Sequence, residues 1–315
     1  MFFDTLRLGF LGMPMLGLMA CQPSVPNAES RSEQPASQVA TSASTAKQTT
    51  PAPASTATTP PVELVVGSTQ NLEIVMPMLV SEFEQHYPNI RIKVKFGLSR
   101  VLYQQMEQAD NGYDVFLSAN QLYPQQLADK SKTTPSLGYS QPFTYARGQL
   151  VLYSTKHPIV NTPTSTLNDL VLENKDFKIG TSDPETTGYG NASQAWLINQ
   201  NLYEGTKDKL VNSDNLNETF QLTDKGVVDF GFVSLAQVME SPNNKSLRSI
   251  NPQANYMILP KDSYPQILHD GIILKNSDAS QAFSKYLQSP KAQQIFSSSG
   301  YLPLCNNTRL MPACK

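Results

Sequence analysis

The sequence predicts an α/β protein of two lobes, each a mixed, mostly parallel sheet flanked by helices, with a cleft between the lobes. Three observations predict it. From residue 62 onward, apolar residues alternate between short strand-like runs and stretches at helical spacing, the mark of repeated strand–helix units. Long strands near the middle and the end join two such halves, and no internal repeat links them. The carboxyl ends of the strands are rich in small hydroxyl residues, and ligands bind beyond these ends in open α/β sheets.

The elements follow in order. Val62–Val66 reads as a strand and Leu72–Tyr87 as a helix, with Pro77 as a kink or an early-turn residue. Ile90, Ile92, Val94 and Phe96 alternate with Arg91, Lys93 and Lys95, the pattern of a half-exposed or edge strand. Ser99–Ala109 is a helix, Asp114–Ser118 a short apolar strand and Gln121–Asp129 a helix. After the Pro142–Arg147 stretch, Gly148–Ser154 is a longer strand. Leu167–Leu172, Gly190–Tyr203 and Leu216–Lys225 read as helices, the second with the only tryptophan, Trp196, on its apolar face. Phe177–Gly180, Val228–Val233, Asn255–Leu259 and Ile267–Leu274 read as strands, and helices at Ser277–Leu287 and Pro290–Ser298 close the chain. Lobe 1 is expected to comprise residues 62–145 and 250–315, and lobe 2 residues 146–249.

The ends of the chain carry different information. Leu8 to Ala20 is an apolar run too short to span a membrane, and it ends in Leu18-Met19-Ala20-Cys21, which resembles the bacterial lipobox. This predicts a lipoprotein signal peptide over 1–20 and lipid on Cys21, the alternative being a plain secretory signal. Residues 22–61 are Ser, Thr, Ala, Pro and Gln with almost no large apolar residue, so they cannot offset their ordering entropy and read as a disordered tether. Of three cysteines, Cys305 and Cys314 lie close together in the C-terminal tail. Export predicts a disulfide between them, against the alternative of two free thiols. A net charge of −2 gives no global attraction to nucleic acid or anionic lipid, so any anion site must be local.

Five strand ends carry small hydroxyls near a helix start: Gly67-Ser68-Thr69, Gly97-Leu98-Ser99-Arg100, Ser118-Ala119-Asn120, Gly180-Thr181-Ser182-Asp183 and Val233-Ser234. Helix capping alone selects such residues. The same amides and hydroxyls can also hold an anion. Capping does not explain the glycines before Ser68 and Ser99, where close approach of a backbone or a ligand is the alternative. Catalysis finds little support. The three histidines, His86, His157 and His269, are scattered, and no G-x-S-x-G elbow, H-E-x-x-H pair or Walker A loop is present.

These segments together resemble the periplasmic molybdate-binding proteins of ABC transporters, a branch of the two-lobed substrate-binding proteins, from about Val62 to Tyr301. VVGSTQNLEIV resembles the family's first strand and serine turn, and DVFLSANQ its third strand and the turn after it. GTSDPETTGYGNASQAWL resembles the Gly-Asp-Pro turn and following helix, and SPKAQQIF the closing helix. The resemblance implies a tetrahedral oxyanion held by neutral donors, with no cofactor and no cation site. It places serine hydroxyls at Ser68 and Ser99, amide donors near Tyr189 and Leu216, and a tyrosine position on Ser234. It also implies an ABC permease as partner and a monomeric receptor at the periplasmic side of the envelope. Three departures bear on the ligand. Ser234 is shorter than the family's tyrosine, Arg100 replaces a small hydroxyl residue, and the Tyr189 ring stands where a small residue is expected to border the ligand. Arg100 either adds positive charge to the site or points to solvent.

Overall fold

The computed structural model describes residues 60–108, 110–159, 162–173, 176–245 and 255–304. The signal segment, Cys21, the tether to residue 59, and Cys305 and Cys314 lie outside the described residues. The first sheet has the strand order β2-β1-β3-β10-β4, formed by β1 (Val62–Thr69), β2 (Ile90–Gly97), β3 (Val115–Leu117), β10 (Ile267–Ile273) and β4 (Phe143–Gly148). The second has the order β7-β6-β8-β5-β9, formed by β7 (Leu210–Ser213), β6 (Ile179–Ser182), β8 (Phe230–Ser234), β5 (Leu150–Tyr153) and β9 (Tyr256–Ile258). In each sheet three strands are parallel, and two join by antiparallel pairing: β10 and β4 in the first, β5 and β9 in the second. Each sheet is therefore mixed, as expected for a two-lobed binding-protein fold.

Period-two burial sets the layers of the first lobe. Leu64 and Val66 of β1 face a core shared with Leu79 and Phe83 of α1 (Met76–His86), Phe283 of α9 (Asp278–Leu287) and Phe296 of α10 (Pro290–Ser298). Val65, on the other face, packs toward Leu102 and Met106 of α2 (Ser99–Met106) and Leu127 of α3 (Leu122–Thr133). Pro77 sits in the first turn of α1, where its missing N–H costs nothing. The half-exposed alternation of β2 is that of an edge strand, and β2 does lie at the edge. In the second lobe, Trp196 of α5 (Gly188–Asn199) is buried against Phe232, with ring centroids 5.5 Å apart.

The lobes exchange chain at two places. Gln149 alone separates β4 from β5, so the strand expected from Gly148 begins at Leu150, and the Pro142–Arg147 stretch before it is a strand of the other sheet. The boundary expected at residue 250 falls early, because β9 pairs with β5 in the second sheet before the chain returns in β10. Besides β4, three short elements escaped the pattern: β7, α6 (Tyr203–Thr206) and α8 (Leu235–Glu240). The remaining helices are α4 (Pro163–Leu172) and α7 (Leu216–Asp224).

Candidate functional site: a cleft of helix starts

A cavity of about 350 Å³ lies between the lobes, beyond the carboxyl ends of the parallel strands. The starts of three helices border it: Ser99 and Arg100 of α2, Gly188 and Tyr189 of α5, and Leu216 and Asn217 of α7. The caps explain which backbone amides remain for a ligand. Thr187 accepts from the Gly190 amide at 2.9 Å, and Asn215 accepts from the Glu218 amide at 3.0 Å. Each cap satisfies the third amide of its helix and leaves the first two. The α2 start has no side-chain cap among the described residues. Three helix dipoles thus present their positive ends to one space.

Side chains complete the wall. The Ser99 hydroxyl oxygen accepts from the Ala119 amide at 3.2 Å, which fixes the oxygen and leaves its proton to donate elsewhere. Asn71 is 7% exposed, lines the cavity, and has no partner among the described residues for either carboxamide atom. Thr69 lines it as well. Arg100 is exposed at the cleft and makes no ion pair among the described residues. Tyr123 also borders the cavity; burial raises its hydroxyl's pKa, nearby Arg100 lowers it and Asp183 raises it.

The structure brings Ser99, Arg100, Tyr189 and Leu216 together and leaves out Ser68 and Ser234. Ser68 is fully buried, and its hydroxyl only approaches the Thr69 carbonyl at 3.5 Å. Its parity explains this, since it follows Leu64 and Val66 on the core face of β1. Thr69, on the opposite parity, lines the cleft instead. Ser234 is buried as the N-cap of α8, accepting from the Gln237 amide at 3.2 Å and donating to the Gln237 side-chain oxygen at 2.8 Å. The Tyr189 ring does not narrow the cleft, because it turns into the second core and meets His269 edge-on at 5.9 Å. The glycines before the serines are packing positions. A Cβ on Gly67 would collide with Met106, and one on Gly97 would crowd Leu102 at 3.1 Å. Sequence reading named the Gly67-Ser68-Thr69 turn but put the donor on Ser68, where continuing the β1 alternation would have exposed Thr69, and it missed Asn71 and Tyr123 as cleft residues.

Two lobes joined by two crossing connections, with donors gathered in the cleft, define a two-lobed receptor for a small solute. The chain belongs to the bacterial extracellular solute-binding protein family, whose model matches residues 64–302. It is 31% identical over 245 residues to the molybdate-binding protein ModA of Azotobacter vinelandii, covering 76% of this chain and 89% of that one. It is 27% identical over 210 residues to the molybdate-binding protein ModA of Rhodobacter capsulatus, covering 66% and 75%. Among solved structures, the periplasmic molybdate-binding protein of Azotobacter vinelandii superposes with a TM-score of 0.60 at 24% identity, covering 76% of this chain and 98% of that one.

Proposed function

We propose that this protein captures a tetrahedral oxyanion, molybdate or tungstate first, and delivers it to the permease of an ABC importer. The observation that carries the reading is the convergence of three helix starts on one cleft, with the first amides of each left without caps. Backbone N–H groups and aligned dipoles stabilise an anion without a counter-ion that must itself be desolvated. Two curated relatives that carry the name molybdate-binding support the choice of ligand. At about 30 Å³ per water, the cavity of about 350 Å³ has room for a four-oxygen anion and several waters. The reading invokes no catalytic step and no cofactor, in keeping with a family of solute-binding proteins.

The sequence adds a location. Cleavage before Cys21 and lipidation there would hold the receptor at the periplasmic side of a membrane, as a monomer on a tether. If residues 22–61 form the tether that the sequence predicts, about 40 residues would reach roughly 35 Å on average, enough to let the lobes meet a permease in the same membrane.

A thermal-shift series tests the ligand, using molybdate, tungstate, sulfate, thiosulfate, phosphate and chromate. A ligand at 100 times its dissociation constant adds about 2.7 kcal/mol of stability, a plain rise in melting temperature. A rise with molybdate and tungstate alone supports the reading. A rise with a different anion moves the substrate and makes Arg100 the first suspect. No rise with any of them refutes an oxyanion receptor.

A further inference from the structure

We propose that Tyr123 donates its hydroxyl to the bound anion from lobe 1 and, together with Arg100, sets which anion the cleft prefers. The proposal rests on the oxyanion reading above and assigns a donor to it. The resemblance places a side-chain hydroxyl of lobe 2 at position 234. Ser234 is committed to the start of α8, so lobe 2 is left to contribute backbone amides at Tyr189 and Leu216. A donor on the opposite wall can replace the one lost.

Tyr123 is built for that role. It lies in the first turn of α3, three residues beyond the strand-end turn that holds Ser99 through Ala119. Its ring stacks on Tyr103 at 5.2 Å and belongs to the core that includes Met106 and Leu127. The residue is 8% exposed, and it lines the cleft. Its neighbours spend their hydroxyls within the protein: Tyr103 donates to Glu107 at 2.8 Å, Tyr113 to Gln105 at 2.7 Å and Tyr139 to the Met106 carbonyl at 3.3 Å. The Tyr123 hydroxyl makes no such bond among the described residues. A phenol clamped by stacking has little freedom left to lose when it binds.

Charge gives the position its selectivity. Arg100 and Asp183 both act on this hydroxyl, with opposite signs. The Asp183 carboxylate is occupied on its own turn, accepting from the Glu185 amide at 2.8 Å and the Thr186 hydroxyl at 2.9 Å. Arg100 has no such engagement among the described residues and can only donate. A tyrosine hydroxyl beside a free guanidinium suits an anion whose oxygens all accept, a fully deprotonated dianion.

Calorimetric titration of the purified full chain with sodium molybdate, tungstate and sulfate tests the assignment on Tyr123→Phe, Tyr123→Leu and Arg100→Gln. Losing one hydrogen bond to a charged ligand weakens binding about tenfold or more. Tyr123→Phe is expected to show that loss with the melting temperature of the ligand-free protein unchanged. Combined with Arg100→Gln it should lose less than the product of the two separate effects, because the two groups share one ligand. If the unaltered chain binds none of the anions, the oxyanion reading and this assignment fall together. If it binds and Tyr123→Phe binds equally well, the assignment alone is overturned. Loss confined to Tyr123→Leu would make the ring a packing element and also overturn it.

Discussion

Ser99 and Ser68 sit at equivalent places in the sequence, yet the geometry gives them opposite fates. Ser99 faces the cleft with its oxygen held by the Ala119 amide, whereas Ser68 lies on the core face of β1. Ser99→Ala is therefore expected to weaken oxyanion binding about tenfold, and Ser68→Ala to leave the dissociation constant unchanged; titration of both variants checks this. His269 supports a second prediction. It is fully buried, its two ring nitrogens have no partner among the described residues, and the rings of Tyr145, Tyr189 and Tyr301 surround it at 5.7–6.0 Å. Burial depresses its pKa to about 3. The unfolded chain binds the proton at its ordinary value near 6.5 and the folded protein does not. Stability is then full above about pH 6.5 and is lost as pH falls toward 3, by about 2 kcal/mol between pH 8 and pH 5. His269→Phe should remove that part of the acid sensitivity, read as a smaller shift of the urea midpoint between the two pH values. At this scale the sequence disclosed residue types and turns, and Arg100, Ser99, Tyr189 and Leu216 do border the cleft. It could not disclose Asn71 or Tyr123, because an amide in a 3-10 turn and a tyrosine in an amphipathic helix look like surface and core until the lobes are placed.

The elements that were easy to read are those whose burial period is long enough to register. β2, α1, α9 and α10 each repeat their pattern over eight or more residues. β7 has four residues, two of them polar, and pairs at the sheet edge, so it left no run to recognise. α8 follows β8 without an intervening loop and was hidden by it. That junction also explains Ser234, which resembled a ligand position and is a helix cap. Losing such a cap costs about 1 kcal/mol. Ser234→Ala should lower the unfolding free energy by that amount, read from denaturant titration, and leave oxyanion affinity as it was. An equal loss in both measurements would return Ser234 to the ligand. Asn215 makes the converse case, since its cap orders the very turn of α7 whose first amides line the cleft. Asn215→Ala is expected to lose stability and affinity together.

Across the whole molecule, the cleft works only if the lobes can part and meet. The connections permit it, because Gln149 is a single residue between β4 and β5 and residues 259–266 are the return from β9 to β10. Rotation about two such crossings is a hinge motion. In the structure the lobes touch through two side-chain hydrogen bonds among the described residues. Asn120 donates to the Thr186 carbonyl at 2.8 Å, and Asn217 donates to the Gln70 side-chain oxygen at 3.5 Å. Asn120 is prepared for its bond, since its amide oxygen accepts from the Ser118 hydroxyl at 3.2 Å, which aims the NH₂ group at lobe 2. A bond that exists only when the lobes meet stabilises the closed form alone, and a ligand gains affinity only through that difference between states. A net hydrogen bond is worth about 0.5–1.5 kcal/mol, so Asn120→Ala should weaken binding by roughly two- to tenfold. The encounter takes place with the cleft open, before this bond forms. The loss should therefore appear as faster ligand release with an unchanged association rate, measured by stopped-flow mixing. A slower association rate with unchanged release would instead mean that Asn120 shapes the open cleft, and the closing role argued for it would fail.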